Sequence, residues 1–460
     1  MPRRKKELSE LPKAPERKGE KISSRLLGMK DLVGLECRYF EALINKAQEL
    51  AKIYGFMPIK TPVLESLDLY KKSTRKNTGK ELYSVEGEKN EKMVLRPEMT
   101  QGIIRAYLEN NLAETMATAK LLSLGPIFRH EKLQSGRYRE STQVNLEIIG
   151  DNKPLSEALL IAVAANFFSE LQIKTQLQIN SLGTADCRRE YCNKLLAFYR
   201  ERGRRSKLCH YCKSNLNKNC LSLLDCKEEA CLKLAEGAPQ IADYLSAESR
   251  EHFSRTLEFL DELKIEYNFN PYLVRGLNYY NDTVFEFWPT NDDGNALGKM
   301  ALGGGGRYDS LVEKFGCPFP YGVGLAIGLE RTIARIKDKS QLLNNQENDL
   351  IFIAQLGDQA KIKSLQLFES LRQAGFKVRQ LFGSDSLKAQ LEEAVNIQAK
   401  TSLILGKKEI MDGTILMRDM DSGAQETVVY KKIQERLTKK DKVIEKKINN
   451  RKEGGLYGRF

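Results

Sequence analysis

Between Leu32 and Tyr54, apolar residues recur at helical spacing, with Leu35, Tyr39, Leu43, Ala47 and Leu50 on one stripe. Gly55 is placed to end that helix, because glycine readily takes the left-handed conformation a helix terminus needs. Phe56 to Glu65 reads as extended, and its Pro58 and Pro62 point to a sheet edge, since proline cannot donate to a ladder. Strand patterning follows at Lys120–Arg129 and again at Thr142–Ile149. In the second run Val144, Leu146 and Ile148 alternate with Gln143, Asn145 and Glu147. One face is therefore apolar, and the other carries two amides and a carboxylate. A half-solvated sheet has this pattern too. Arg129, Arg137, Tyr138 and Arg139 between the two strands turn the reading towards a polar site on a sheet floor. A helix is expected over Leu155–Leu171 and a strand over Thr175–Leu182.

Residues 184–264 change character: they are highly charged, read as helical, and hold seven of the nine cysteines. Strands are expected again at Leu273, Thr283–Trp288 and Lys299–Leu302. From Tyr321 a strand-like run leads through Gly328 into a helix that carries Arg331 in or near its first turn. Lys337 to Asn348 is mostly polar and reads as a linker. Beyond it strand and helix alternate. Leu350–Ala354 is a strand, and a helix follows with Ile362, Leu365, Phe368 and Leu371 on one face, ended by Gly375. Lys377–Leu381, helical Ser386–Gln398, Ser402–Leu405 and Thr414–Asp419 complete a small α/β domain with parallel pairing. No Gly-x-Gly-x-x-Gly follows its first strand, so a dinucleotide site is not supported there.

A chain of 460 residues should split into two to four domains. No run of 18 apolar residues occurs and the N-terminus is polar and charged, which argues against a membrane span and a secretory signal. With no such signal the cysteines are expected to stay reduced in a cytoplasm. The net charge of +13 is uneven: residues 1–25 hold nine Lys/Arg against four Glu, and residues 431–460 hold eleven against four acids. Both ends read as disordered basic tails, either merely solvated or drawing in a polyanion without reading its sequence.

The candidate chemistry centres on Leu302-Gly303-Gly304-Gly305-Gly306-Arg307-Tyr308-Asp309. Four consecutive glycines suggest that backbone must approach something closely. Around this block lie Phe128-Arg129-His130-Glu131, Arg275-Gly276-Leu277-Asn278-Tyr279-Tyr280 and Gly328-Leu329-Glu330-Arg331. Arginines beside strands suit phosphate or carboxylate, which the guanidinium fork grips bidentately. Histidine, suited to acid–base catalysis, occurs only three times. No Gly-x-x-x-x-Gly-Lys-[Ser/Thr] phosphate loop is present. Together these segments resemble class II aminoacyl-tRNA synthetases, and specifically the histidyl-tRNA synthetase family, from Gly28 to about Arg436.

The resemblance implies an α+β catalytic core, an antiparallel sheet flanked by helices, over residues 25–345, with 184–264 as a helical cysteine-rich insertion. It implies an α/β anticodon-binding domain over 349–436, followed by the basic tail 437–460, and a homodimer formed through the Leu32–Glu65 helix and strand. The implied reaction is activation of L-histidine by ATP with Mg²⁺, followed by transfer to histidine tRNA. Arg129 and Arg275 would act on the α-phosphate. Glu131, Arg137 and Arg331 would join Arg129 in holding ATP. Glu98, Thr100, Gln143, Glu147, Arg275, Tyr279, Tyr280, Gly304 and Gly305 would bind histidine, and Gln134 would meet the tRNA acceptor end. A carboxylate and a tyrosine hydroxyl can satisfy both imidazole nitrogens, which an apolar pocket cannot.

The chain departs from the family pattern at three places. Asn278 stands for a usual Asp, Met99 for a usual Gly, and Ser141-Thr142 for a Phe-His whose phenylalanine stacks on adenine. Either ATP binding is weakened or another side chain covers the base. Cys209, Cys212, Cys226 and Cys231, with His210 and Cys220 nearby, could supply four zinc ligands, but the wide second spacing, the ambiguity added by His210 and the family's general lack of a structural zinc favour reduced thiols. A competing reading is a catalytically silent paralogue, like the regulatory subunit of ATP phosphoribosyltransferase, which shares this core. The retained arginines and the region 349–436 argue against it. The Arg275–Tyr280 segment argues against a related synthetase for threonine, proline or glycine.

Overall fold

The computed structural model of the chain describes residues 24–71, 82–87, 91–116, 118–130, 136–226, 228–277, 279–298, 300–343, 350–381 and 386–438. The expected basic tails fall almost entirely outside these residues, as does the linker end at 344–349. The chain divides into two compact units, Met1–Lys337 and Asp338–Phe460.

In the first unit the strands run β1 (Met57–Pro58), β2 (Leu64–Ser66), β3 (Ser84–Glu86), β4 (Lys92–Leu95), β5 (Ala119–Phe128) and β6 (Glu140–Ile149). They continue with β7 (Thr175–Ser181), β8 (Tyr267–Phe269), β9 (Asn281–Pro289), β10 (Gly303–Arg307) and β11 (Gly322–Gly328). One sheet has the order β1-β5-β6-β11-β10-β9-β7-β8, and a small one β2-β4-β3. The expected antiparallel sheet is mixed in fact. Its interior from β5 to β7 is antiparallel, but β1 joins β5 and β8 joins β7 in parallel. The β7–β8 pairing requires a crossover, and the helical stretch from Ala185 to Glu262 supplies it.

The first helix, Gly34–Ile53, buries Phe40, Leu43, Ala47 and Leu50. Gly55 ends it at φ +78°, with Phe56 N–H donating to the Ala51 carbonyl at 3.0 Å. Pro58 lies in the edge strand β1, as its missing donor demands. Two strand expectations need correction. No strand forms at Leu273: the segment after β8 turns there, its Pro271 and Leu273 carbonyls held by the Asn180 amide at 3.2 and 3.0 Å. The expected strand at Lys299–Leu302 begins instead at Gly303, so the four glycines are themselves the strand β10.

Glycine, a poor strand former, occupies this central strand because its neighbours leave no room. A Cβ on Gly304 would come within 2.5 Å of both Arg275 Nη1 and the Phe285 carbonyl. On Gly305 it would overlap the Gly324 carbonyl of β11. Behind the sheet, Arg307 at the end of β10 is buried and donates to both Glu157 carboxylate oxygens, at 2.6 and 2.7 Å. Glu157 stands in the helix Leu155–Glu170, so this fork pins the helix to the glycine strand. His252 approaches the same carboxylate at 2.6 Å from the helix Ala247–Glu262.

The second unit holds β12 (Ile351–Gln355), β13 (Val378–Gln380), β14 (Thr401–Leu405), β15 (Thr414–Asp419) and β16 (Gln425–Val429) in the order β13-β12-β14-β15-β16. The first three are parallel, as the strand–helix alternation predicts, and the last two antiparallel. Ile351 and Ile353 of β12 enter one apolar cluster and Phe352 and Ala354 the other, so both sheet faces are covered. Half of the face expected on the helix Asp358–Gln373 holds: Leu371 is buried and Phe368 packs against the core, but the other half does not. Ile362 and Leu365 are 63% and 54% exposed, and the buried stripe is Ala360, Ser364, Leu367 and Leu371. Small residues let the helix lie close to the sheet, which a search for large apolar ones overlooks.

Gly305→Ala should destabilise the protein by about 1–3 kcal/mol, since backbone on β11 cannot yield to a Cβ. Gly203→Ala, in a helix with open space around it, should instead stabilise by about 0.5–1 kcal/mol. Thermal unfolding followed by circular dichroism checks the contrast, and equal midpoints would contradict it.

Candidate active site

The site is assembled on one face of the first unit's sheet, where β6, β11, β10 and β9 lie side by side. Register puts Asn145, Ala326, Gly304 and Glu286 in one row and Glu147, Gly324, Gly306 and Val284 in the next. Two amides and a carboxylate on alternate β6 positions, Gln143, Asn145 and Glu147, thus share a face with the glycines. Gly305 falls in the alternate row with Leu325 and Phe285, so its role is backbone packing.

Glu147 is fully buried. It accepts from Thr100 Oγ1 at 2.7 Å and from the Tyr308 hydroxyl at 2.6 Å. A Cβ on Gly324 would overlap its carboxylate, so that glycine provides the space the acid occupies. Glu98, also buried, accepts from the Tyr279 hydroxyl at 2.6 Å and from Gln101 Nε2 at 2.8 Å. It stands in the bend between β4 and the helix Thr100–Glu109. Arg96 braces that bend, donating to the Pro126 carbonyl at 2.8 Å and the Thr61 carbonyl at 3.1 Å. Met99, where the family has glycine, keeps φ −104° and ψ −25°, and its buried side chain joins the apolar cluster with Ile103 and Tyr107. No glycine is needed there.

Arg275 lies over Gly304 and donates from Nη1 to Glu286 Oε1 at 2.6 Å. Its guanidinium carbon is 5.6 Å from the centre of the Tyr280 ring, which in turn packs on Tyr279 at 4.8 Å between centroids. Arg129 Nε donates to the Pro97 carbonyl at 2.8 Å, next to Glu98. Arg331 bridges the Gly136 carbonyl at 3.3 Å and the Ala301 carbonyl at 3.1 Å, and Arg137 reaches Met300 Sδ at 3.3 Å. The arginines thus form two groups, Arg129 and Arg275 near the buried acids and Arg137 and Arg331 around residues 136 and 300–301. Gln143 is half-buried opposite Gly328, the residue that leads into the Arg331 helix. Thr142, in the run that replaces the expected aromatic, donates its backbone N–H to Glu330 Oε1 at 2.7 Å. Glu131, Gln134 and Asn278 lie outside the described residues.

Burial pushes the Glu147 carboxyl up to about 8, against hydrogen bonds from Tyr308 and Thr100 that favour its charged form. Burial raises Glu98 as well, opposed by Tyr279, Gln101 and the Arg129 charge. Arg275 stays firmly protonated: burial disfavours its charge, but Tyr280 and Glu286 outweigh that. The floor therefore combines hydrogen-bonding acids with a fixed cation, an arrangement suited to a polar zwitterion beside a phosphate.

Residues 28–332 match the family model for histidyl-tRNA synthetase, and residues 350–440 that for an anticodon binding domain. The chain belongs to the histidyl-tRNA synthetase family. The histidine--tRNA ligase of Thermosipho melanesiensis is 35% identical over 405 residues, 87% of this chain and 95% of that protein. That of Desulforudis audaxviator is 37% identical over 420 residues, 90% and 98% of the two chains. The crystal structure of apo S. aureus histidyl-tRNA synthetase superposes with a TM-score of 0.72 at 28% identity, covering 90% of this chain and all of that one. The family makes this a class II aminoacyl-tRNA synthetase, with the family's mixed-sheet core and a separate anticodon-binding fold. Among the described residues no helix is long and apolar enough to cross a membrane.

The sequence assigns no role to four residues that shape this histidyl-tRNA synthetase site: Gln101, Glu286, Gly324 and Tyr308, the last named only as part of the glycine block. Glu286 has a legible signal, alternating with Phe285 and Phe287 on the β9 strand. Tyr308 follows the glycine block directly, but only tertiary pairing carries its hydroxyl to Glu147.

The raised Glu147 carboxyl has a consequence for stability. Between its ordinary value of 4.5 and about 8 the folded protein holds a proton that the unfolded chain has lost, so folding stability falls as pH rises. Glu147→Gln abolishes this dependence. The unliganded variant should gain stability over the native chain from pH 5 to pH 8, in thermal melts at stepped pH. Parallel curves for the two proteins would contradict the assignment.

Proposed function

We propose that this chain activates L-histidine with ATP, supplied as its Mg²⁺ complex, and transfers it to the 3′ end of histidine tRNA in the cytoplasm. The observation that carries the reading is the buried Glu147, hydrogen-bonded by Thr100 and Tyr308 on the sheet that also fixes Arg275.

In the first step a histidine carboxylate oxygen bonds to the α-phosphorus and the bond to pyrophosphate breaks. No side-chain nucleophile is required; the protein must hold two anions in line and neutralise the charge that develops. Arg275, held by Glu286, and Arg129, anchored at Pro97, serve the α-phosphate, while Arg137 and Arg331 hold the rest of the nucleotide with Glu131 near adenine. Glu147 and Tyr280 take the imidazole, with Gln143 beside them. Glu98 and Thr100 take the α-amino end, and Tyr279 keeps Glu98 oriented. Gly304 lets the substrate lie against the floor. A substrate that cannot hydrogen-bond leaves these groups unpaired and is rejected.

In the second step a terminal ribose hydroxyl of tRNA attacks the activated carbonyl and AMP leaves, with Gln134 near the acceptor end. Residues 25–345 carry the chemistry, and 349–436 the anticodon recognition. The chain acts as a homodimer, a reading supported by the exposed Leu26, Leu27, Val33, Leu35, Val63 and Leu64 about the first helix and strand. Light scattering should accordingly give twice the 52.3 kDa chain mass.

ATP–pyrophosphate exchange tests the reading. It should depend on histidine and not on threonine, proline or glycine, and Arg275→Ala should slow it by roughly 10²–10³ with little change in histidine affinity. Exchange with another amino acid would overturn the substrate, and no exchange would favour a catalytically silent paralogue.

A further inference from the structure

We propose that Cys209, Cys212, Cys226 and Cys231 hold one structural zinc ion that folds the outer part of the helical insertion. The sequence reading favours reduced thiols, in part because the five-residue step from Cys226 to Cys231 is wider than the usual pair. The fold corrects that objection. All four sulfurs lie within 4.8 Å of one another, and His210 and Cys220, the neighbouring candidates, are not in the group.

The Cys209–Cys226 separation is that of two ligands on one ion, and the other sulfurs are close enough to complete the set. A tetrahedron with zinc–sulfur arms of about 2.3 Å has edges of about 3.8 Å, and Cys209 Sγ lies 3.8 Å from Cys226 Sγ. A disulfide would need about 2.05 Å, and all four cysteines are free. An iron–sulfur cluster interposes iron and sulfide and spreads its thiolates further apart. Four soft sulfur donors in a tetrahedron suit zinc, which needs no redox partner, and metal analysis separates it from a single iron ion on the same ligands.

The surroundings are those of a thiolate site. Cys209 caps the helix His210–Asn215, and its sulfur accepts from Cys212 N–H at 3.4 Å. The Cys231 sulfur accepts from Cys209 N–H at 3.3 Å. Such donors orient ligating sulfurs and spread their charge. Cys212, Cys226 and Cys231 are buried among Leu208, Leu216, Leu223 and Leu224. The second pair spans its wider spacing because Cys231 stands in the first turn of the helix Glu229–Ala235, which folds it back.

The fold also needs such a link. Arg202–Lys207, His210–Asn215, Cys220–Leu223 and Glu229–Ala235 have six, six, four and seven residues. Helices shorter than about 12–15 residues are marginal alone. An ion joining the helix His210–Asn215, the turn at Cys226 and the helix Glu229–Ala235 supplies the stability their short interfaces lack, as in small metal-dependent domains.

Metal analysis by plasma mass spectrometry on untagged full-length protein tests this. One zinc per chain is expected, falling to a trace in Cys212→Ser/Cys226→Ser and unchanged in Cys37→Ser. Should the double variant not fold, cobalt exchange into the native chain gives an independent reading, namely intense thiolate-to-cobalt charge-transfer absorption at one cobalt per chain. Zinc removal should also make residues 200–240 several-fold more susceptible to protease. Native protein that holds no zinc and takes up neither zinc nor cobalt would overturn the proposal. So would stoichiometric iron, with or without sulfide.

Discussion

A carboxylate buried in the middle of a sheet is the constraint on which this catalytic unit is built. Glu147 projects from β6 onto β11, and the space it fills exists only because position 324 is glycine. The same device recurs one row away, where Gly304 leaves room for Arg275. Each absent Cβ thus admits one ionisable group to the floor, a fixed cation at Gly304 and an acid that burial tends to keep protonated at Gly324. Leaving a buried charge unpaired would cost several kcal/mol, so Thr100, Tyr308 and Glu286 are as necessary as the glycines. The unusual composition of the strands follows from the chemistry they carry.

The floor needs a rigid support, because four glycines weaken a strand. The support lies at the strand's end, where Arg307 reaches the buried Glu157 and ties β10 to the helix behind it. Glu157 stays charged despite burial, because Arg307 and His252 both compensate it. The acids at the two places therefore behave oppositely. The staple is charged and fixed, whereas the raised Glu147 changes its protonation near neutrality, where a substrate imidazole also titrates.

Much of this was legible in the chain. The alternation of Gln143, Asn145 and Glu147 with apolar residues gave the polar floor, and Pro58 gave the sheet edge, because both follow from period and local sterics. The glycine strand was not legible as a strand, since glycine has low strand propensity and the reason for it lies on β11 and β9. Ser364 and Ala360 were passed over for Ile362 and Leu365, because closeness of packing is invisible to a hydrophobic count. Tyr308 escaped because its partner Glu147 lies on another strand, and Gln101 because its bond to Glu98, three residues back, leaves no mark on the apolar pattern. The four cysteines were noticed, but spacing alone could not show that a short helix turns the last of them back to its partners. Glu131 and Gln134 lie outside the described residues and rest on resemblance.

On this reading the glycine rows hold Glu147 and Arg275 ready for an imidazole and an α-phosphate. A crystal structure with histidine and a non-hydrolysable ATP analogue tests it most directly. The imidazole is expected within hydrogen-bonding distance of the Glu147 carboxylate and Tyr280 hydroxyl, with the α-phosphate reached by Arg275 and Arg129 and sheet backbone unmoved. An imidazole bound elsewhere, with Glu147 still closed off by Thr100 and Tyr308, would contradict it.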